Sequence, residues 1–281
     1  MTSLTALDTQ LRQITATYSG TCTYALTDLA GGGHIGMDED DVMPLASLIK
    51  VPVLVALYQA VHDGKLALDD RTAYREEHHC FGSGVLIHMT PGAEMTVRDA
   101  AALMIVISDN IATNMVIDLL GLDYINEQMR RRGFEKTEIF YRLGDREAGL
   151  DARNMSVSTA RETARLMERI GRHEEVSEEA AEDMLRILRR NDGRGELSRE
   201  LPWDELNMLA DHRQNWVAEK GGSFLNGVRT CGAVFHGARG VFAMAAFCEG
   251  GTGPGAGRNA EGNVLLGRLG RAAWDALAAP A

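Results

Sequence analysis

Ser47-Leu48-Ile49-Lys50 sits where a loop broken by Pro44 runs into a long apolar segment, Leu45 to His62. A serine and a lysine three residues apart on a helix lie on one face, within side-chain reach. A serine hydroxyl is a poor nucleophile until a neighbour takes its proton. A lysine amine held neutral by burial and by other cations is such a neighbour. Two further motifs follow: Ser108-Asp109-Asn110, 61 residues after Ser47, and Lys220-Gly221-Gly222, 173 residues after it. S-x-x-K alone is weak, because serine and lysine are common. In this order, joined to S-D-N and a lysine–glycine triplet, it is a strong signal.

Around these motifs the chain reads as strands at both ends and helices between. Leu4, Leu7, Leu11 and Ile14 recur at helical spacing, predicting an amphipathic helix over residues 3–18. Thr21 to Leu29 reads as a strand, Ala30-Gly31-Gly32-Gly33 as its turn and His34 to Asp38 as its partner. The Leu45–His62 helix ends at Gly64, with a kink expected from Pro52. Residues 63–95 are loop-rich. Thr96 caps a helix that runs to Ile107; Ser108-Asp109-Asn110 interrupts the apolar run, and a second helix continues to Leu120. Helices are expected over 123–132, 156–171 and 176–190, then strands over Trp216–Lys220, Val228–Phe235 and Gly240–Phe247. A glycine-rich loop, Gly250 to Gly257, precedes a closing helix, Val264–Leu277.

The expected architecture is α/β in the α+β sense. One antiparallel sheet is flanked by terminal helices (residues 1–45 and 212–281). An all-helical part (46–211) lies alongside, with the cleft between them, in a single catalytic domain spanning 1–281. A chain of 281 residues with 45% hydrophobic content is long enough for such a core. Its formal net charge of −11, without clusters, argues against nucleic acid or an anionic membrane as partner. Cys22, Cys80, Cys231 and Cys248 form no C-x-x-C and suit no zinc site. Their apolar neighbours predict buried thiols, with a Cys231–Cys248 bridge open only if those strands adjoin. Met1 to Ala6 carries neither the basic nor the apolar region of a signal peptide. The expectation is a cytoplasmic protein, or a periplasmic or secreted one if a leader has been removed.

Together the motifs, their spacing and the order of elements resemble the class A β-lactamase / penicillin-binding serine hydrolase superfamily over nearly the whole chain. Gly82-Ser83-Gly84-Val85-Leu86, Thr96-Val97-Arg98-Asp99 and Ser108-Asp109-Asn110-Ile111-Ala112-Thr113-Asn114 carry the likeness as well. The resemblance implies that Ser47 is acylated, with Lys50 its base or proton relay. Ser108 would pass the proton to the leaving nitrogen, and Asn110 would bind the substrate amide and Lys50. Lys220 would lower the pKa of Lys50 and steer a substrate carboxylate. The oxyanion would lie between the amides of Ser47 and Ser223. Arg229 stands where many class A enzymes keep an arginine for the substrate carboxylate.

Two departures stand out. Gly221 replaces the usual threonine or serine, removing a hydroxyl donor to a substrate carboxylate, while Gly222 keeps the close approach of backbone and ligand. The loop that follows Leu143–Asp151 as far as Ser156 is short and lacks the family's usual arginine-x-glutamate pattern. By the resemblance Glu147, three residues before Leu150, is the carboxylate that activates the deacylating water; the alternative is a solvated loop residue that leaves turnover slow. His78-His79-Cys80, with His88 nearby, looks like a ligand cluster, but adjacent residues on a strand face opposite ways. No metal and no cofactor is expected. The implied activity is acyl transfer from a lactam, amide or ester, β-lactam hydrolysis first. A peptidase, esterase or amidase of the same fold, or a penicillin-binding relative without turnover, is the alternative. The partner is a small-molecule substrate and the protein a monomer.

Overall fold

The computed structural model describes residues 4–192, 195–202, 215–253 and 257–280. In chain order the elements are α1 (Leu4–Thr15), β1 (Thr21–Asp28), β2 (His34–Met37), β3 (Met43–Pro44), α2 (Lys50–His62), β4 (Arg71–Ala73), β5 (Glu94–Thr96), α3 (Val97–Val106), α4 (Asn110–Leu120), α5 (Leu122–Arg131) and β6 (Glu138–Ile139). They continue with α6 (Ala152–Met155), β7 (Ser156–Ser158), α7 (Ala160–Gly171), α8 (Glu178–Leu188), β8 (Trp216–Ser223), β9 (Arg229–Gly237), β10 (Gly240–Glu249) and α9 (Glu261–Leu277).

The main sheet runs β2-β1-β10-β9-β8, antiparallel throughout. Alternation along β10 sets its two faces. Ala243, Ala245 and Phe247 join a core with α2, α3, α4 and α7, while Phe242, Met244, Ala246 and Cys248 join a second core with α1 and α9. Fully buried Trp274, Leu266 and Leu269 of α9 and Leu7 and Leu11 of α1 fill that second layer. Each such large side chain is worth roughly 1.5–3 kcal/mol on leaving water. The terminal helices therefore cover one face, as the sequence predicts. The middle of the chain is not confined to a separate helical part, because α7 packs on β1, β9 and β10.

Local chemistry sets the element ends. The Thr96 hydroxyl accepts from the Asp99 amide at 3.1 Å, and the Asp99 carboxylate accepts in return from the Thr96 amide at 3.3 Å, a reciprocal cap for α3. The predicted helix over 156–171 instead begins as β7, because Ser156-Val157-Ser158 alternates and pairs with β3 and β6. Thr159 then caps α7 through the Glu162 amide at 3.1 Å. The predicted Leu45–His62 helix opens with a 3₁₀ turn over Ala46–Ile49 and becomes α-helical at Lys50. Pro52 is then third in α2, within the first turn, where a missing amide costs least. The loop-rich 63–95 segment also holds the β4–β5 pair and two 3₁₀ turns.

All four cysteines are buried free thiols. The strands of Cys231 and Cys248 do adjoin, but the register places Cys231 opposite Ala246 and Cys248 opposite Cys22, Sγ to Sγ 3.6 Å. No described helix is long and apolar enough to cross a membrane.

Two glycines of α9 make room for the stretch 195–201. A Cβ on Gly270 would meet the Leu197 carbonyl oxygen at 1.8 Å, and one on Gly267 would meet Arg199 Cβ at 3.0 Å. Gly270→Ala should therefore destabilise the protein by about 1–3 kcal/mol despite alanine's better helix propensity. Urea unfolding checks this; an unchanged or higher midpoint would mean that α9 and the 195–201 stretch are not in contact.

Candidate active site

The loop from Pro44 into α2 is held from both sides before Ser47 is reached. The Leu45 amide donates to the Ser156 carbonyl at 3.2 Å, and the Thr230 hydroxyl of β9 donates to the Leu45 carbonyl at 2.8 Å. Ala46 then takes a left-handed conformation, φ +49°, that a non-glycine residue adopts only under constraint. Ser47 follows in the 3₁₀ turn, which places its side chain at the floor of a cleft of about 340 Å³. Ser83, Ser108, Lys220, Gly222 and Ser223 line that cleft too, with Asn191, Asp192 and Glu196 on its far wall.

Lys50 is fully buried at the start of α2. Its Nζ lies 3.3 Å from Ser47 Oγ, 2.9 Å from Ser108 Oγ, 2.8 Å from the Ser108 carbonyl oxygen and 2.8 Å from Asn110 Oδ1. Burial pushes the Lys50 pKa well below that of an ordinary lysine, and the charge of Lys220 pushes it further the same way. A neutral amine has two N–H bonds and one lone pair. The two partners that can only accept here, the Ser108 carbonyl and Asn110 Oδ1, use the two N–H bonds. The lone pair then faces the hydroxyls of Ser47 and Ser108, which can donate to it.

That arrangement needs Ser108 and Asn110 in fixed poses. Ser108 sits at φ +57° between α3 and α4. Asp109, wholly buried, holds the break open: its carboxylate accepts from the amides of Val85 at 2.7 Å, Leu86 at 2.9 Å and Ala112 at 3.0 Å. The Asn110 amide nitrogen donates to the Phe81 carbonyl at 3.0 Å, which turns its Oδ1 toward Lys50. The Ser83 hydroxyl donates to the Ser108 carbonyl at 2.7 Å. Val85 and Leu86 belong to the Gly82–Leu86 segment singled out in the sequence, so one aspartate joins it to the S-D-N turn. The Gly84 backbone comes so close that a Cβ there would meet the Asp109 carboxyl at 2.3 Å.

On the opposite wall, β8 brings its backbone up to Ser47. A Cβ on Gly222 would stand 2.7 Å from the Ser47 amide nitrogen, so only glycine leaves that amide open to a ligand. Lys220 is buried and donates to the Gly221 carbonyl at 2.6 Å; burial lowers its pKa, against the nearby carboxylates of Glu196 and Glu219. Ser223, exposed, ends β8 at the rim.

The structure thus brings Ser47, Lys50, Ser108, Asn110, Lys220, Gly222 and Ser223 together. Arg229 does not line the cleft. Its guanidinium donates to the carbonyls of Val228 at 2.7 Å and Phe224 at 3.1 Å at the β8–β9 turn, which turn it away from the site expected for it. Glu147 is exposed and outside the lining of the cleft, and its amide donates to Asp145 at 3.1 Å. Asn114 pins the start of that loop by exchanging hydrogen bonds with Leu143 at 2.9 and 3.0 Å, and the short path to α6 leaves Glu147 on its outer side. His78, His79 and Cys80 do not converge: His78 Nε2 faces Asp118 at 3.2 Å and His79 Nδ1 faces the Tyr74 hydroxyl at 2.7 Å. His88 is exposed. Among the described residues no His, Cys, Asp and Glu group is arranged to hold a metal.

Glu196, like Asn191 and Asp192, lines the cleft without having been singled out in the sequence. It stands in a polar stretch with no motif of its own, and the one hint was the absent side chain at Gly221.

Comparison with known proteins agrees with this geometry. The sequence profile of the β-lactamase enzyme family matches residues 6–277. The crystal structure of a β-lactamase from Sphaerobacter thermophilus is 26% identical, with a TM-score of 0.84 over 98% of both chains. PBP-A is 28% identical, with a TM-score of 0.82 over 97% of this chain and 96% of its own. A mutant of PBP-A has been solved as an acyl-enzyme with penicillin G. The β-lactamase SME-1 of Serratia marcescens is 25% identical over 153 residues, 54% of this chain, and the match spans about half of that protein, 48%. With its motifs gathered around one cleft and the family profile matched almost from end to end, this chain belongs to the β-lactamase enzyme family.

Proposed function

We propose that the protein is a serine acyl-transfer enzyme of the class A kind, acting on a β-lactam or a related amide or ester and releasing the acyl group slowly. The observation that carries this reading is the Lys50 amine, buried and poised toward neutrality between the Ser47 and Ser108 hydroxyls. In the acylation step, Ser47 Oγ bonds to the acyl carbon as its proton passes to the Lys50 lone pair. The carbonyl oxygen takes up negative charge between the amides of Ser47 and Ser223. When the carbon–nitrogen bond breaks, the leaving nitrogen receives a proton from the Ser108 hydroxyl, which Lys50 replenishes. Asn110, fixed by Phe81, presents its amide to both Lys50 and the bound acyl group.

Two comparisons support this reading: SME-1 is named as a β-lactamase, and mutant PBP-A has been solved as an acyl-enzyme with penicillin G. Slow release follows from Glu147. A deacylating water needs a base within about 3 Å, and this carboxylate is exposed, outside the lining of the cleft.

Ser47→Ala should abolish the mass increase from benzylpenicillin or a fluorophosphonate in intact-protein mass spectrometry; labelling at a comparable rate would exclude Ser47 as nucleophile. Lys50→Ala should slow acylation by about 10²–10⁴-fold, and Lys220→Ala by less. A Lys50→Ala protein acylating at the parental rate would remove it from the mechanism.

A chromogenic cephalosporin should give a stoichiometric burst followed by a slow steady state. Glu147→Ala should keep both phases within about threefold of the parent, as expected for a residue outside the site. Loss of the steady state with an intact burst would instead make Glu147 the deacylation base.

A further inference from the structure

The side chain missing from Gly221 is replaced by a carboxyl group from elsewhere in the chain. A Cβ on Gly221 would lie 2.4 Å from Cδ of Glu196 and 2.6 and 2.8 Å from its two oxygens. Glu196 thus fills the space beside Lys220 that a side chain at position 221 would occupy, and it lines the same cleft as Ser47.

We propose that Glu196 sets the substrate specificity of this cleft: in its ionised form it disfavours a substrate carboxylate at the Lys220 end and favours amides or esters that present a neutral or cationic hydrogen-bond donor there. This rests on the acyl-transfer reading and adds the substrate class to it.

Three observations carry the inference. First, Glu196 is held in place. Its Oε2 accepts from the Gly195 amide at 3.2 Å. The neighbouring Ser198 is fastened to buried Glu219 of β8, its amide donating at 3.1 Å and its hydroxyl also hydrogen-bonded, while Leu197 seats against Gly270 of α9. Second, among the described residues the cations near it are already opposed or engaged. Lys220 and Glu219 of β8 and Arg229 and Cys231 of β9 face Glu196, and Asp192 lines the same wall. Arg229 is engaged with carbonyls, and Lys220 is opposed by two carboxylates. Third, the hydroxyl that would bind a carboxylate is absent at position 221.

The inference carries a pH signature. Burial and the charge of Glu219 push the Glu196 pKa up to about 7, against the pull of Lys220. Below that pH Glu196 is a neutral acid that can donate to a carboxylate; above it, an anion that repels one.

Benzylpenicillin and its carboxamide differ only in this charge. Their acylation rates with the parent protein should be followed by intact mass between pH 6 and pH 8. Titration of Lys50 affects both alike and cancels in the ratio of acid to amide. That ratio should fall about tenfold across the range, as one group near pH 7 dictates, and Glu196→Gln should make it flat. Glu196→Ala serves where the glutamine variant does not fold. A flat ratio in the parent, or a fall that persists in the variant, overturns the proposal. If neither compound acylates Ser47, the acyl-transfer reading fails, and calorimetric binding of the same pair decides the charge rule. Binding of the acid that weakens about tenfold relative to the amide from pH 6 to pH 8 supports it. Parallel pH dependence, or no binding of either, overturns it.

Discussion

A single buried amine organises this molecule. Lys50 is a cation-former placed where water cannot reach it, and an isolated charge there costs several kcal/mol. The fold meets that cost by holding the amine toward its neutral form and giving it four oxygens. Each oxygen demands something of the surrounding chain. Ser108 must break α3 from α4 in a left-handed conformation, Asp109 must anchor the break, and Phe81 must orient Asn110. The helical part of the chain is in this sense built around the partners of one side chain.

The sheet performs the complementary task through absence. Gly222 leaves the Ser47 amide uncovered, and Gly221 leaves room for Glu196. Positive charge arrives from Lys220, whose position in β8 is fixed by its register opposite Gly232 of β9. The cleft is thus a meeting of a donor-rich, strained helix start with a strand stripped of side chains. Charge at its open end depends on a carboxylate contributed by neither.

Much of this was legible in the sequence because the responsible interactions are local. Ser47 and Lys50 are one turn apart, the S-D-N turn interrupts an apolar run, and the unbroken apolar run of Gly240–Phe247 fits a strand buried on both faces. Thr96 and Asp99 announce their cap within four residues. What escaped depends on contacts between distant segments. Ser156-Val157-Ser158 is a strand only because β3 and β6 offer it edges. Arg229 is captured by carbonyls of a turn that no spacing rule describes, and Glu147 faces outward because of the loop's path. Glu196 meets Gly221 across 25 positions of sequence, so its role is visible only when both stand side by side. That Cys248 faces Cys22 rather than Cys231 is invisible in the sequence for the same reason, since strand register is a property of two segments together.

The pairing of β1 with β10 also fixes an order of events. Thr21 lies opposite Glu249, so the first strand acquires its central partner only when the last one exists. On a ribosome the chain emerges from its N-terminus, and β1 with β2 must wait as a short hairpin through the synthesis of more than two hundred residues. A two-stranded hairpin is marginal in water by itself. Closing so long a loop before any sheet contact forms makes nucleation at this seam slow. The α2–α5 region, whose contacts lie closer in sequence, can gather earlier. The helical part therefore has the opportunity to form first, with the sheet, and with it Lys220 and the far wall of the cleft, completed only once β10 has been made.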